Sequence, residues 1–180
     1  LSVFNKKHQK EIKRLSDYAP TAPLASYEST INKYKLSDDI SRFSDLIHRP
    51  IKAIRQHKLV LHFPNTYRSF TEIGIKNDFS MHYPETAGFR ASTAFSFRFY
   101  DLGDEQQTPL NIHPICMCED HLRKQNSKRK IHQLYTVYKS KLNDLKLPFV
   151  VLLTAESFNI RSKNKIFLST IRKLMIHGKG

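Results

Sequence analysis

Four side chains of the kinds that bind metals stand close together in His113-x-x-Cys116-x-Cys118-x-x-His121. Thiolate and imidazole are ligands that zinc accepts, so the spacing first suggests a metal cluster. On a strand, alternate side chains leave by opposite faces, and the two histidines would point away from the two cysteines. Convergence of all four needs an irregular loop, and ordinary packing with surface histidines is the preferred reading. A second group is Arg55-Gln56-His57, directly after the short strand expected at residues 51–54, and Asp78 and Glu156 hold similar positions. Such edges are where α/β folds set catalytic groups, and these residue types suit positioning and general acid–base chemistry. Taken alone, Arg55 and His57 read first as a capping arginine and a half-buried histidine. The chain has no glycine-rich phosphate loop and no H-E-x-x-H, G-x-S-x-G or C-x-x-C signature. No local signature favours a Ser/His/Asp triad, and none excludes one.

The elements that must hold these groups are read from periodicity. Ile12, Leu15 and Tyr18 lie on one side of residues 8–18 and predict a helix, which the prolines within 20–25 interrupt. Ile40, Phe43, Leu46 and Ile47 predict a helix over 38–48 with Ser37 as its N-cap. Residues 51–54 read as a short buried strand. Pro64 then opens a helix bearing Tyr67, Phe70 and Ile73, with Gly74 as its stop. Phe95, Phe97 and Phe99 alternate with polar residues and predict a strand over 89–100. A turn at 101–109 and a further strand at 110–118 follow. Ile131, Leu134, Tyr135, Tyr138, Leu142 and Leu145 form the stripe of a helix over 127–145 with lysines opposite. The unbroken apolar run 149–153 suits a central parallel strand buried on both faces, and a last helix is expected over 163–176. This alternation predicts an α/β fold, with one domain spanning 1–180.

Composition bounds the partners. The 180 residues include 12 Phe and 8 Tyr and are 39% apolar, which excludes a disordered polycation. No apolar run approaches the roughly 18 residues of a membrane span. Of the net charge of +14, residues 123–180 supply +12, with only Asp144 and Glu156 as acids. A block of this sign attracts anions, so an anionic partner, either nucleic acid or a membrane surface, is one expectation for the 123–180 region. The sequence opens Leu1-Ser2-Val3 without a signal-peptide core, which reads as part of a longer product and predicts a cytoplasmic location.

Read in order, several blocks form a pattern: Asp17-Tyr18-Ala19, Ala25-Ser26-Tyr27-Glu28-Ser29, Arg55-Gln56-His57, Pro64-Asn65-Thr66-Tyr67, Gly74-Ile75-Lys76-Asn77-Asp78-Phe79-Ser80-Met81, Gly88-Phe89-Arg90-Ala91, Phe99-Tyr100-Asp101-Leu102 and Ile112-His113-Pro114. In this order and spacing they resemble the C-terminal half of bacterial polysaccharide deacetylase-like proteins of the Bacteroidetes type, within carbohydrate esterase family four. The resemblance covers roughly residues 5–157. It implies a partial or distorted (β/α) barrel with a divalent metal such as zinc at the C-terminal ends of the strands. There the metal activates water against the acetamide of an N-acetylated saccharide, a carboxylate serves as base, a histidine as acid, and an arginine holds the base.

This chain departs from that pattern. The block with paired aspartates would lie before Leu1. Leu24 stands where the resemblance implies a metal-binding histidine, and Thr154 where it implies the general acid. Arg55, His57, Asp78 and Glu156 remain as vestigial catalytic positions, with Tyr83, Phe89 and Arg90 as the expected lining of a saccharide-facing cleft. Losing several members of a catalytic set leaves mainly binding. The expectation is a degenerate, non-catalytic polysaccharide deacetylase-like domain that holds no metal or other cofactor and takes a polysaccharide or N-acetylated saccharide. The alternatives are an active metal-dependent N-deacetylase completed by a missing N-terminal segment or partner, and a basic anion-binding module.

Overall fold

Asparagine caps set the first two helices. The side-chain oxygen of Asn5 accepts from the N–H groups of Lys7 and His8 and starts α1 (Lys6–Tyr18). Asn32 does the same for Tyr34 and Lys35, so α2 (Lys33–Ile47) begins five residues ahead of the start expected from a Ser37 cap. The extra turn adds Leu36 to Phe43 and Ile47 on the buried face. In α1 the buried positions are Ile12 and Ser16; Leu15 and Tyr18 are exposed, against expectation. The computed structural model that shows this describes residues 2–125, 127–154 and 169.

The described residues form a mixed α/β structure in two compact units, one of residues 2–80 with 96–113 and one of 81–95 with the described residues from 114 onward. In the first, β1 (Ala53–Ile54) runs parallel to β2 (Asn77–Asp78), and β2 parallel to β4 (Gln106–Ile112). β3 (Phe97–Asp101) pairs antiparallel with β4, which gives the order β1-β2-β4-β3. Between β1 and β2 lies α3 (Asn65–Glu72), which buries Tyr67 and Phe70 almost completely. Gly74 ends it as expected: its φ of +83° is left-handed, and the Ile75 N–H returns to the Phe70 carbonyl.

Two expected strands are cut short. The strand expected over 89–100 is confined to Phe97–Asp101, because only there does β4 lie alongside. The strand expected over 110–118 is two strands in two sheets, β4 ending at Ile112 and β5 (Met117–Cys118) pairing parallel with β6 (Val151–Leu152). Pro114 separates them, since a proline cannot donate to a ladder and restricts the residue before it.

In the second unit, α4 (Glu119–Arg123) and α5 (Lys128–Asp144) bury Leu122, Ile131 and Leu142 in a core with Cys116 and Met117. Phe89, Leu134, Tyr138 and Phe149 pack around it half-buried. Leu145, expected on the stripe, is 66% exposed. β6 corrects a second expectation: it is two residues long, Val150 beside it is 37% exposed and Val151 and Leu152 are half-buried. Its one paired neighbour among the described residues is β5, so there the apolar run stands at the edge of a sheet and not at its centre. Neither described sheet closes into a barrel. The expected helix over 163–176 and Glu156 lie outside the described residues. Among the described residues no helix is long and apolar enough to cross a membrane.

Candidate functional site

The pleat of the first unit's sheet sorts its side chains into two polar groups. Main-chain bonds from Phe79 N to Ile54 O (3.0 Å) and from His113 N to Asp78 O (2.9 Å) carry the pairing past the strand ends. Alternation then places Ile54, Gln56, Asp78, Ser80 and Ile112 on one face, all buried. Arg55, Asn77, Phe79 and His113 fall on the other, all half-buried.

On the buried face Asp78 has no exposed surface and is held by hydroxyls. Tyr67 donates to Oδ2 at 3.1 Å and Ser80 to Oδ1 at 2.5 Å, while the Gln56 N–H donates to Ser80 Oγ at 2.8 Å. Burial pushes the Asp78 carboxyl up to about 6, and the hydrogen bonds from Ser80 and Tyr67 only partly oppose this. The Gln56 amide beside it is fully buried, and neither its nitrogen nor its oxygen has a hydrogen-bond partner among the described residues. A buried polar group left unsatisfied costs roughly 1–3 kcal/mol, which packing alone does not return.

On the half-buried face Arg55 follows β1 and bridges in parallel to Leu24, with Ala25 N donating to Arg55 O at 2.9 Å and Arg55 N to Pro23 O at 3.2 Å. Leu24 is 52% exposed. His57 opens the 3₁₀ turn His57–Leu59. His113 lies flat on the Phe79 ring, with centroids 4.6 Å apart and planes 12° from parallel. Its Nε2 is 2.8 Å from Asn77 Oδ1 and its Nδ1 2.8 Å from Ser96 Oγ. Burial lowers its pKa.

The residues read from the sequence therefore divide. Arg55, His57 and Asp78 belong to the first unit, with Asp78 on the opposite face from Arg55; Tyr83, Phe89 and Arg90 belong to the second. Phe89 packs against the second core, and Tyr83 is 40% exposed. The members of the His/Cys motif are separately engaged. Cys118 Sγ donates to Pro84 O at 3.1 Å, the His121 ring to Glu85 O at 2.7 Å, and Cys116 lies in the core, where burial pushes its thiol up to about 11. Among the described residues no three His, Cys, Asp or Glu side chains gather as a metal site. Thr154 gives both its N–H and its hydroxyl to Glu119 Oε2 at 2.6 Å, and the other Glu119 oxygen pairs with Arg123. The first unit also has a cavity of about 320 Å³ whose lining includes Ser29, Lys33, His62 and Thr66. None of the candidate site residues read from the sequence lines it, although Ser29, Asn65 and Thr66 belong to the blocks that carry the resemblance.

Asn77, Ser80 and Tyr67 stand in the sequence only as members of longer blocks or of a helix, and Ser96 only as a polar position in an alternating strand; none reads as a site residue. Tyr67 reaches Asp78 from α3 and the others meet their partners through strand register, as with His113, whose fixed partners are 17 and 36 residues away. No protein-family model, curated protein or solved structure matches this chain.

Proposed function

We propose that the chain is a degenerate polysaccharide deacetylase-like domain, a partial (β/α) barrel that binds an N-acetylated saccharide without hydrolysing it. The observation that carries this reading is the parallel arrangement of Leu24, β1, β2 and β4. It sets Leu24, where the resemblance implies a metal-binding histidine, directly beside Arg55, where it implies the arginine that holds the base. Leucine offers no ligand atom and the threonine hydroxyl at residue 154 no acid near neutral pH, so binding outlasts chemistry.

The test is to add Zn²⁺ or Co²⁺ and N-acetylglucosamine oligomers. The reading expects no acetate release, no rise of several degrees in melting temperature with metal, and oligomer binding that Arg55→Ala weakens. Acetate release with metal-dependent stabilisation would instead show an active deacetylase. Absence of oligomer binding would remove the saccharide-facing site.

A second reading rests on α5, where Lys128, Arg129, Lys130 and Lys141 are all exposed. An anion-binding surface there would hold a polyanion with an affinity that falls steeply with salt, and a flat salt response would remove it.

A further inference from the structure

We propose that Ser96, His113 and Asn77 form a nucleophile, a general base and a positioning residue for the hydrolysis of short-chain carboxylic esters. This lies beyond the deacetylase-like reading and does not depend on it, because its chemistry runs through an acyl-serine.

The geometry is that of a nucleophile bonded to a base which is itself oriented by a third group. The β3–β4 pairing of Phe97 with Ile112 and Arg98 with Asn111, continued by one residue, sets Ser96 opposite His113. The Asn77 side-chain oxygen can only accept, so His113 Nε2 carries the proton it donates at 2.8 Å, and Nδ1 presents its lone pair to Ser96 Oγ, also at 2.8 Å. The two ring nitrogens thus have exchanged roles relative to the serine-hydrolase arrangement in which Nε2 faces the nucleophile. Stacking on Phe79 fixes the ring plane.

A purely structural histidine has no need of this arrangement. Ser96 is exposed, so water would satisfy its hydroxyl, and the bond relieves no buried donor. What remains is a ring locked in one tautomer and aimed at an accessible hydroxyl. Burial lowers the imidazole's pKa. Its neighbours from β2 and β3 are Asn77, Phe79 and Ser96, and the charged residues on the same face of the sheet are Arg98 in β3 and Arg55 after β1, both cationic and so opposed to an imidazolium. The ring is therefore neutral at pH 7 and able to take a proton.

In the first step Ser96 Oγ attacks the ester carbonyl carbon while its proton passes to His113 Nδ1. The ester C–O bond then breaks and the alkoxide leaves as an alcohol with that proton. Water next attacks the acyl-serine and gives its proton to Nδ1. The acyl–Oγ bond breaks, the carboxylic acid departs, and Ser96 recovers its proton. Ser96 is exposed, so a short ester reaches its hydroxyl without a binding pocket.

The test treats the whole chain with a fluorophosphonate, which reacts preferentially with an activated serine, and separately with p-nitrophenyl acetate. One adduct per chain on the peptide holding Ser96, with ester turnover, is expected. Ser96→Ala should abolish both without changing the melting temperature, and His113→Gln should slow turnover at least about a hundredfold. Asn77→Asp puts a carboxylate on Nε2, favours the imidazolium and should move the midpoint of the pH–rate profile upward, which a merely structural role would not do. The proposal is overturned by no adduct on the unaltered chain, by an adduct on another residue, or by turnover that survives Ser96→Ala. An unmoved midpoint in Asn77→Asp removes Asn77 from it.

Discussion

Two aspartates in the first unit show how the same side chain is driven in opposite directions by its neighbours. Asp78 has hydroxyls as partners and a folded pKa of about 6, above its ordinary 3.8, because burial penalises the charge. The folded state therefore keeps a proton that the unfolded chain releases, and stability falls as pH rises from near 4 through 6. The difference corresponds to about 3 kcal/mol, and Asp78→Asn should flatten this slope in urea unfolding at pH 4.5 and 7.5. Asp101 is gripped by Arg68, Nε to Oδ2 at 2.5 Å and Nη2 to Oδ1 at 2.8 Å, and also accepts from Gly103 N, which holds it down at about 2. Its contribution is present above pH 4 and is lost as pH falls towards 2. Asp101→Asn should lower the melting temperature at pH 7 and weaken the dependence of stability on pH between 4 and 2. Asp78 was singled out in the sequence by its place after a short strand, yet nothing there showed that it would point away from Arg55. That depends on strand register, which a single chain's pattern leaves open.

The β3–β4 hairpin decides how such residues are presented, and it explains which elements the sequence revealed. Arg98 pairs with Asn111 but Tyr100 with Gln107, so the ladder slips between them and Pro109 sits in the bulge. A proline there forfeits no ladder bond, so β4 runs through a segment that composition assigned to a turn. Helix α3 was legible because Pro64, Tyr67, Phe70 and Gly74 all act locally. The start of α2 was not, since Asn32 and Ser37 are both capable caps and only the burial of Leu36 decides between them. The hairpin's turn is tied to α3 through Arg68. A Cβ on Gly103 would lie 2.6 Å from Arg68 Nη2 and would push the guanidinium off Asp101. Gly103→Ala should cost about 1 kcal/mol in urea unfolding, and the loss should shrink when Arg68 is already alanine.

Across the whole molecule, the periodicity of α5 foretold the core around Ile131 and Leu142, while the division into two units had no linker or repeat to announce it, and the shift in charge after residue 122 says nothing of residues 81–95. Each unit is built from segments far apart in the chain, residues 81–95 joining the segment after 114 and residues 96–113 the segment before 80. Local pattern cannot show such an exchange, because it arises from which buried surfaces find each other. The first core centres on Tyr67, Phe70, Leu110 and Ile112, the second on Met117, Leu122 and Ile131, all but completely buried. Deleting a buried isoleucine costs its transfer energy and the cavity it leaves, so Ile131→Ala should destabilise by about 3 kcal/mol. Cooperative units open with their own free energies, and the loss should therefore appear first in the second unit. In native-state hydrogen exchange, the amides of Met117, Leu122 and Leu142 should lose protection in Ile131→Ala while those of Leu110 and Ile112 keep theirs. Equal loss at all five would show that the two cores unfold as one.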